Sequence, residues 1–179
     1  MLDRQEALRL LKENTPEPHL VQHALASEAV MRGLARRLGK DEDLWGLAGL
    51  LHDLDYSSTK DAAARHGLDS ADMLQGRLPD EALQAVRAHA WEMNGVEPRG
   101  DFDFALRCGE TVTGLVSAAA LVRPQGMTGM QAGSLKKKMK DKAFARNVRR
   151  EVIRECEKLG LELGEFLTIA IEAMQGLEK

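Results

Sequence analysis

Residues 44–53 read LWGLAGLLHD, an apolar run that ends abruptly on His52 and Asp53. The Leu, Trp and Ala positions have the spacing of a buried helix, and Asp41 stands where a helix N-cap is expected. We therefore predict a helix over about 42–51, with His52 and Asp53 at or just past its last turn. Burying an ionisable pair is costly unless something compensates its charge. The end of this helix is thus the first candidate for a functional site.

The rest of the chain is also rich in helix-forming residues. Ala, Leu, Glu, Arg and Lys dominate, and aromatic residues make up only 4% of the sequence, which favours an all-α protein. Proline and glycine positions mark the helix ends. The further helices are predicted over about 3–13, 19–38, 69–77, 80–92, 103–122, 134–140, 142–159 and 163–176. We expect a single-domain helical bundle over 1–179 with eight or nine helices.

Composition limits the class of protein. The net charge of −3 over 179 residues is too small to imply a charged partner. No stretch approaches the roughly 18 uninterrupted apolar residues of a membrane span, and the charged start of the chain does not resemble an export signal. Cys108 and Cys156 lack metal-binding or disulfide-framework spacing. We expect a cytoplasmic protein with two reduced thiols, no membrane association and no zinc–thiolate site.

The histidines are clustered along the chain. All five, His19, His23, His52, His66 and His89, lie in its first half. The His23 helix has a core-facing side, so His23 is able to point toward the pair that ends the 42–51 helix. Two imidazoles and one carboxylate from different helices suit a divalent ion such as manganese, iron, nickel, cobalt or zinc. Coordination of a cation would also reduce the cost of burying Asp53.

The spacing of these residues carries a resemblance. The pattern H23-(x)28-HD, with LLHD closing a helix, is followed by HGLDSADML from His66 and by AVRAH ending at His89. Over about 19–122 it resembles the HD-domain superfamily of metal-dependent phosphohydrolases, which implies a helical bundle. We expect the C-terminal helices 134–176 to pack on this motif core. The later string SAAALVRP…SLKKKMKDKAFARNVRRE resembles uncharacterised bacterial members of that group.

The resemblance also implies a set of metal ligands. His23, His52 and Asp53 match the first metal site, and His66 and His89 match the extra histidines of members that bind two ions, in which Asp53 bridges both. The family has a late Asp inside an apolar helix, and Glu110 occupies that place here. We expect Glu110 to bind the first ion directly or through water, with Asp101 and Asp103 as fallback ligands. The alternative for Glu110 is a helix carboxylate that pairs with Arg107 or Arg123 at the surface. His19 matches no family ligand and is expected to lie beside the site or at the surface.

A basic segment lies near the C-terminal end. Residues 136–150 contain eight Lys or Arg and a single acid, Asp141. One interpretation is a solvated helix face; the other is a platform that binds substrate phosphates at the metal site. The residues proposed for this binding role are Lys136, Lys137, Lys138, Lys140, Lys60 and Tyr56, with Arg65 as a further candidate cation. Nucleic-acid binding is disfavoured because aromatic residues are not interleaved with the cations, Phe144 excepted.

These residues support three hypotheses. The leading one is a phosphohydrolase with two divalent ions that acts on a nucleotide or similar small phosphoester, with His52 and Asp53 at the catalytic centre and a metal-activated water as the nucleophile. The second is an HD-fold di-iron oxygenase, which uses the same ligand set. The third is a non-catalytic, metal-stabilised nucleotide-binding module. The sequence does not specify the substrate, the physiological metal or the oligomeric state.

Overall fold

The computed structural model describes residues 2–178, and the regular structure in this range is entirely helical. The fold class therefore agrees with the sequence-based prediction. Ten α-helices occur in the described range, with short 3₁₀ helices at Ala63–Arg65, Arg154–Leu159 and Gly176–Glu178. The α-helices are α1 Arg4–Asn14, α2 Pro18–Leu38, α3 Glu42–Leu51, α4 Leu68–Met73, α5 Asp80–Ala88, α6 Trp91–Asn94, α7 Asp101–Leu121, α8 Ala132–Lys140, α9 Arg150–Ile153 and α10 Leu163–Gln175.

The ends of the first helices follow from local sequence signals. A capping box starts α1, in which Asp3 and Glu6 each accept the other's backbone N–H and so satisfy two otherwise unpaired donors. Proline at the first position of α2 supplies a preset φ. Gly39 ends α2 in the left-handed conformation, at φ 65°, where a side chain would be strained.

Helix α3 is buried along nearly its whole length and crosses α2 at close range. A Cβ built on Gly49 would lie 2.7 Å from the carbonyl oxygen of Ser27 and 2.9 Å from Met31. Glycine is therefore required at this crossing, because the two backbones approach too closely for a side chain. The close approach places the C-terminal end of α3 beside α2, on which His23 lies.

The central helix α7 completes the core around this end of α3. It packs against α2, α5 and the 3₁₀ helix Arg154–Leu159, while α10 covers α2 and α8. Phe166 and Leu167 of α10 are fully buried. Both cysteines, Cys108 and Cys156, are free and buried. The C-terminal helices thus contribute to the same hydrophobic core as the segment that carries the histidines.

The helix predicted over 80–92 is interrupted, so this boundary prediction was wrong. Helix α5 ends at Ala88 and α6 begins at Trp91. The guanidinium of Arg107 donates to the carbonyl oxygens of Ala88 at 3.3 Å and His89 at 3.1 Å. Because a buried side chain satisfies these carbonyls, the chain turns at His89 without losing hydrogen bonds.

The helix predicted over 142–159 is also shorter than expected. Residues 142–149 form turns, and regular helix begins only at Arg150. The Arg150 guanidinium donates to the carbonyl oxygens of Ala145, Val148 and Phe144, and also to that of Asp141. A side chain therefore replaces the backbone donors that a helix would supply. The helix predicted over 69–77 likewise ends early, at Met73.

Within residues 2–178, no helix combines the length and the apolar character that crossing a membrane requires.

Candidate metal centre

The site is built around the last turn of α3. His52 follows Leu51 directly and is completely buried. Its Nδ1 donates to the carbonyl oxygen of Gly49 at 2.8 Å, which is one of the carbonyls left free at a helix end. A carbonyl only accepts, so the proton lies on Nδ1 and the lone pair of His52 lies on Nε2. The helix end therefore fixes the orientation of the imidazole as well as its tautomer.

His23 reaches the site from α2. Its Nδ1 lies 3.0 Å from the Thr113 hydroxyl on α7, and this hydroxyl donates to the carbonyl oxygen of Glu110 at 2.6 Å. Because the hydroxyl proton is already used, Thr113 accepts the Nδ1–H of His23. The lone pair of His23 consequently lies on Nε2, which is 3.6 Å from the carboxylate of Asp53.

His66 and His89 are held in the same way. The Nδ1 of His89 donates to the carbonyl oxygen of Val86 at 2.6 Å, and the Nδ1 of His66 donates to Asp55 at 2.8 Å. Both side chains are at least 90% buried. A histidine that ligates a metal almost always donates its other ring N–H to such an acceptor. Each of these two imidazoles therefore has the hydrogen bond that a ligand requires.

Asp55 is a site residue to which sequence reasoning assigned no role. It is fully buried, and its second oxygen accepts the backbone N–H of Gly67 at 2.7 Å and that of Ser70 at 2.9 Å. Burial opposes ionisation, but the hydrogen bonds from His66 and Ser70 outweigh it and lower the pKa of Asp55. Asp55 thus stays an acceptor and ties His66 to the start of α4. The sequence signal was the second acid of HDLDY, two residues after Asp53.

The imidazole Nε2 atoms of these four histidines converge on Asp53. Their distances to its carboxylate oxygens are 3.6 Å for His23, 3.4 Å for His52, 3.4 Å for His66 and 3.2 Å for His89. The Nε2 atoms of His23 and His52 lie 3.2 Å apart, and so do those of His66 and His89. Because Nδ1 donates in all four rings, two lone pairs face each other in each pair. A cation, either a proton or a metal ion, is needed between them.

The residues fall into two groups whose donor atoms lie within 4.8 Å of one another. One group is His23, His52 and Asp53, and the other is Asp53, His66 and His89. Imidazole nitrogen with carboxylate oxygen is a donor set that suits divalent transition metals. The orientation, burial and hydrogen bonding of these residues therefore fit a bound divalent metal. That two ions bind and share Asp53 stays a prediction.

The charges of the cluster favour a bound cation. Burial opposes ionisation of Asp53, but the imidazoles of His52 and His89 hold its pKa well below the usual value. Burial lowers the pKa of His52 to about 3. For His89 burial acts in the same direction, yet its hydrogen bond to Asp53 outweighs this and raises the pKa. The cluster therefore attracts one positive charge even when only a proton is present, and a metal ion competes with that proton.

Glu110 lies beside the first group, on α7. Its Oε2 is 3.9 Å from Nε2 of His23, and its side chain is 16% exposed. Burial raises the pKa of Glu110. Its other oxygen accepts the hydroxyl of Thr111. The alternative reading of the sequence, a surface pairing with Arg107 or Arg123, does not occur, because Arg107 is fully buried against Glu92 and Glu155 and Arg123 bonds backbone carbonyls.

The fallback ligands lie elsewhere. Asp101 pairs with Lys40 at 3.3 Å, and Asp103 accepts the backbone N–H of Arg99 at 2.8 Å. Neither belongs to the two ligand groups.

A cavity of about 490 Å³ opens onto the cluster, within the range of small-molecule sites. The half-exposed Tyr56 lines it, with its ring edge-on to His66 at a centroid distance of 5.6 Å. The exposed His19 also lines it, as expected for a residue beside the site. The lining residues are His19, Leu20, His23, Asp53, Tyr56, His66, His89, Ala90, Met93, Glu110, Thr111, Gly114, Asn147, Val148 and Arg149.

The structure places the proposed phosphate-binding lysines away from this cavity. Lys136 and Lys140 line a separate cavity of about 620 Å³ between α8 and the start of α10. The ammonium of Lys138 lies over the ring of Phe144, at 3.9 Å from its centroid. Lys137 is exposed on α8 and is not among the lining residues. The direction of α8 explains this outcome, since its charged face is turned from the cluster.

The other proposed cations are paired near the site rather than in it. Lys60 donates to Glu17 at 2.9 Å and lines a small side cavity with Tyr56 and His66. Arg65 pairs with Asp69 on α4. In contrast, Arg149 lines the main cavity although sequence reasoning gave it no role. Arg149 belongs to the basic segment, but the sequence predicts a regular helix over 142–159 and so does not indicate where Arg149 lies.

Comparison with known proteins agrees with this geometry. The family model described as HD domain matches residues 20–119, which is more than half of the 179 residues. The matched range begins just before His23 and contains His52, Asp53, His66, His89 and Glu110. Neither the search of curated proteins nor the search of solved structures returned a match. HD domains bind divalent metals and are in general metal-dependent phosphohydrolases. The chain belongs to the HD domain family.

Proposed function

We propose that this protein is a phosphohydrolase that uses two divalent transition-metal ions to cleave a nucleotide or similar small phosphoester. One observation carries the proposal: four imidazole Nε2 atoms surround Asp53, and each Nδ1 is committed to an acceptor. One ion would be held by His23 and His52 with Glu110 as a further ligand, and the other by His66 and His89. Asp53 would be a ligand of both ions. When bound, such ions lower the pKa of water and polarise a phosphoryl group.

The chain's own residues supply orientation and exclusion of bulk water. Thr113, Asp55 and the carbonyls of Gly49 and Val86 fix the imidazoles, so little reorganisation is needed when ions bind. In this proposal His52 and Asp53 bind the metal ions of the catalytic centre, and the substrate occupies the cavity. Tyr56 offers an apolar edge to the non-phosphate part of the substrate.

The ligand set does not by itself distinguish hydrolysis from oxygen chemistry. Four histidines and two carboxylates also suit a di-iron oxygenase, which is the second candidate and is favoured by the same observation. Neither the small side cavity nor the basic cavity beside α8 distinguishes a hydrolase from an oxygenase. The choice rests on the family, whose members are in general hydrolases.

The test compares wild-type protein with Asp53→Ala, both purified without a histidine tag. Metal analysis of the wild type is expected to give close to two ions per chain, and the variant is expected to retain almost none. A screen of mononucleotides, cyclic nucleotides and aryl phosphoesters with manganese, iron, nickel, cobalt or zinc should show hydrolysis only by the wild type.

Two results would contradict the proposal. Wild-type protein that binds two irons and consumes dioxygen, with no phosphoester hydrolysis, supports the oxygenase. Saturable nucleotide binding without turnover under every metal supports a non-catalytic module. The cytoplasmic location and the choice of metal stay predictions.

A further inference from the structure

We propose that the guanidinium of Arg149 binds the phosphoryl anion of the substrate at the metal centre. The inference rests on the proposed phosphohydrolase function and names the residue that recognises the reacting group. None of the cations proposed from the sequence has this position. It follows from the composition of the cavity and from the way in which Arg149 is held.

Arg149 is the single Lys or Arg among the lining residues of the cavity within the described range 2–178. The same walls carry the carboxylates of Asp53 and Glu110. Two metal ions would compensate these carboxylates, but a phosphoester brings further negative charge and several acceptor oxygens. A guanidinium matches a phosphate by donating two parallel N–H bonds. Arg149 is therefore the side chain in the cavity best suited to the anion.

A single carboxylate positions Arg149. Its Nη1 lies 2.9 Å from Oε2 of Glu92, and its side chain is 36% exposed. A guanidinium has five N–H donors, so the Nε and Nη2 donors remain available beside this contact. The group is thus oriented by the protein and retains donors for a ligand. Such preorganisation reduces the cost of ordering a long side chain on binding.

The carboxylate of Glu92 is fixed in turn by Arg107. The Arg107 guanidinium is fully buried and bonds Glu92 at 2.7 Å and 3.1 Å and Glu155 at 2.7 Å and 3.0 Å. The same Nη1 that contacts Glu92 also donates to the backbone carbonyl of His89 at 3.1 Å. Arg107 therefore links Arg149, through Glu92, to the backbone of His89 at the metal centre. These contacts fix the proposed anion site relative to the proposed metal site.

The pairing of Arg149 with Glu92 does not cancel its use for an anion. Glu92 is shared between two guanidinium groups, and Glu155 supplies the second carboxylate to Arg107. Arg107 has no exposed side-chain surface, whereas Arg149 lines the cavity and its side chain is 36% exposed. Of the two guanidinium groups, Arg149 is consequently the one that an anion in solution is able to reach.

The experiment measures binding of inorganic phosphate to the metal-loaded protein by calorimetry. Wild type is compared with Arg149→Gln, Arg149→Lys and Arg146→Gln. Arg146 is exposed in the same segment and does not line the cavity, so its replacement is a control for net charge. We expect Arg149→Gln to bind phosphate about 10- to 100-fold more weakly than wild type, since charge-assisted hydrogen bonds are lost. Arg149→Lys should recover part of the affinity, and Arg146→Gln should match wild type.

Metal content and thermal stability of each variant distinguish a loss of phosphate binding from a loss of the folded metal site. Equal metal content in wild type and Arg149→Gln, together with weaker phosphate binding, supports the inference. Unchanged phosphate affinity in Arg149→Gln overturns it, and so does a wild type that binds no phosphate. Loss of metal in step with loss of phosphate also overturns it, because Arg149 would then act on assembly of the site.

This design keeps the two proposals distinguishable. Phosphate binding is measured whether or not the protein hydrolyses any ester, so failure of the hydrolase proposal appears in the wild-type screen alone. Failure of the Arg149 inference appears in the comparison of variants. Where a substrate is found, Arg149→Gln should raise KM and lower kcat/KM, while Arg146→Gln leaves both unchanged.

Discussion

The buried carboxylate of Asp55 accepts the Nδ1–H of His66 at 2.8 Å, while Nε2 of His66 faces Asp53 at 3.4 Å. Two acids separated by one residue therefore contact opposite sides of the same imidazole. Asp53 lies at the proposed metal centre, and Asp55 fixes the orientation of the His66 ring. The sequence HDLD thus contains both a proposed ligand and the support of another.

Replacing Asp55 by Asn should weaken metal binding at the group that contains His66 and His89. The amide is a weaker acceptor and leaves the imidazole less firmly oriented, so affinity should fall by about 10- to 100-fold. Titration with metal, followed by elemental analysis, measures the change. Asp72→Asn is the matched control, since Asp72 is an exposed acid on the neighbouring helix α4. Equal affinity of both variants would contradict the role of Asp55.

Thr113→Val should weaken metal binding at the group formed by His23, His52 and Asp53. Valine has nearly the same shape but removes the hydroxyl that links His23 to the Glu110 carbonyl. The loss should lower affinity at the His23 and His52 group by about 10-fold or more and leave the His66 and His89 group occupied. Elemental analysis at limiting metal would then fall from two ions toward one. Thr113→Ser retains the hydroxyl and should bind both ions; a similar loss in this variant would assign the effect to packing.

Gly49→Ala should destabilise the fold through the crossing of α2 and α3. The added methyl would meet the Ser27 carbonyl at 2.7 Å, and overpacking of this kind costs roughly 1–3 kcal/mol. Urea unfolding measures the change in the free energy of unfolding. Gly133→Ala on α8 is the control, because a Cβ there meets nothing within 4 Å and should stabilise by about 0.5–1 kcal/mol. Equal stability of Gly49→Ala and wild type would show that the crossing relaxes freely.

The pH dependence of stability should include a contribution from Glu92. Burial opposes its ionisation, but hydrogen bonds from Arg107 and Arg149 lower its pKa from 4.5 to about 2. The folded state therefore binds fewer protons, and the stabilisation is present above pH 4.5 and is lost as the pH falls toward 2. The side chain is 37% exposed, so screening reduces the effect to about 1–2 kcal/mol.

Urea unfolding of wild type and Glu92→Gln at pH 6, 4 and 3 tests this contribution. The difference in unfolding free energy between the two proteins should shrink as the pH falls, because protonated Glu92 resembles glutamine. Glu157→Gln, which removes an exposed acid paired only with Arg154 on the surface, should show little change. A constant difference between wild type and Glu92→Gln across this range would argue against the pKa assignment.

Local sequence predicted the helices and the residues that meet at the centre. Caps, prolines and the apolar period are properties of short segments, and the spacing of His23, His52 and Asp53 matched a family pattern. The breaks after α5 and before α9 were not predictable in this way. At the first break Arg107 satisfies the free backbone carbonyls, and these contacts exist only after α5 and α7 pack. At the second break Arg150 satisfies the carbonyls of Asp141, Ala145 and Val148 within its own segment, which replaces the helical hydrogen bonds that the local pattern predicts.

The same reason explains the errors within the site. Asp55 gains its role from the backbone of α4, and Arg149 reaches the cavity because residues 142–149 leave the helical path. The lysines of α8 had the right chemistry for phosphate but the wrong direction. Charge is visible in a sequence, whereas the face on which a side chain emerges depends on the whole fold.

The convergence of the histidines on Asp53 affects how long the folded protein survives proteolysis. His23, His66 and His89 belong to segments far apart in sequence, so ions at this centre would act as reversible cross-links between them. A ligand that binds only the native state stabilises it by about 2.7 kcal/mol at a concentration 100-fold above its dissociation constant. Scarcity of the metal would then shorten survival against proteases, which makes abundance of the protein follow metal supply as well as gene expression.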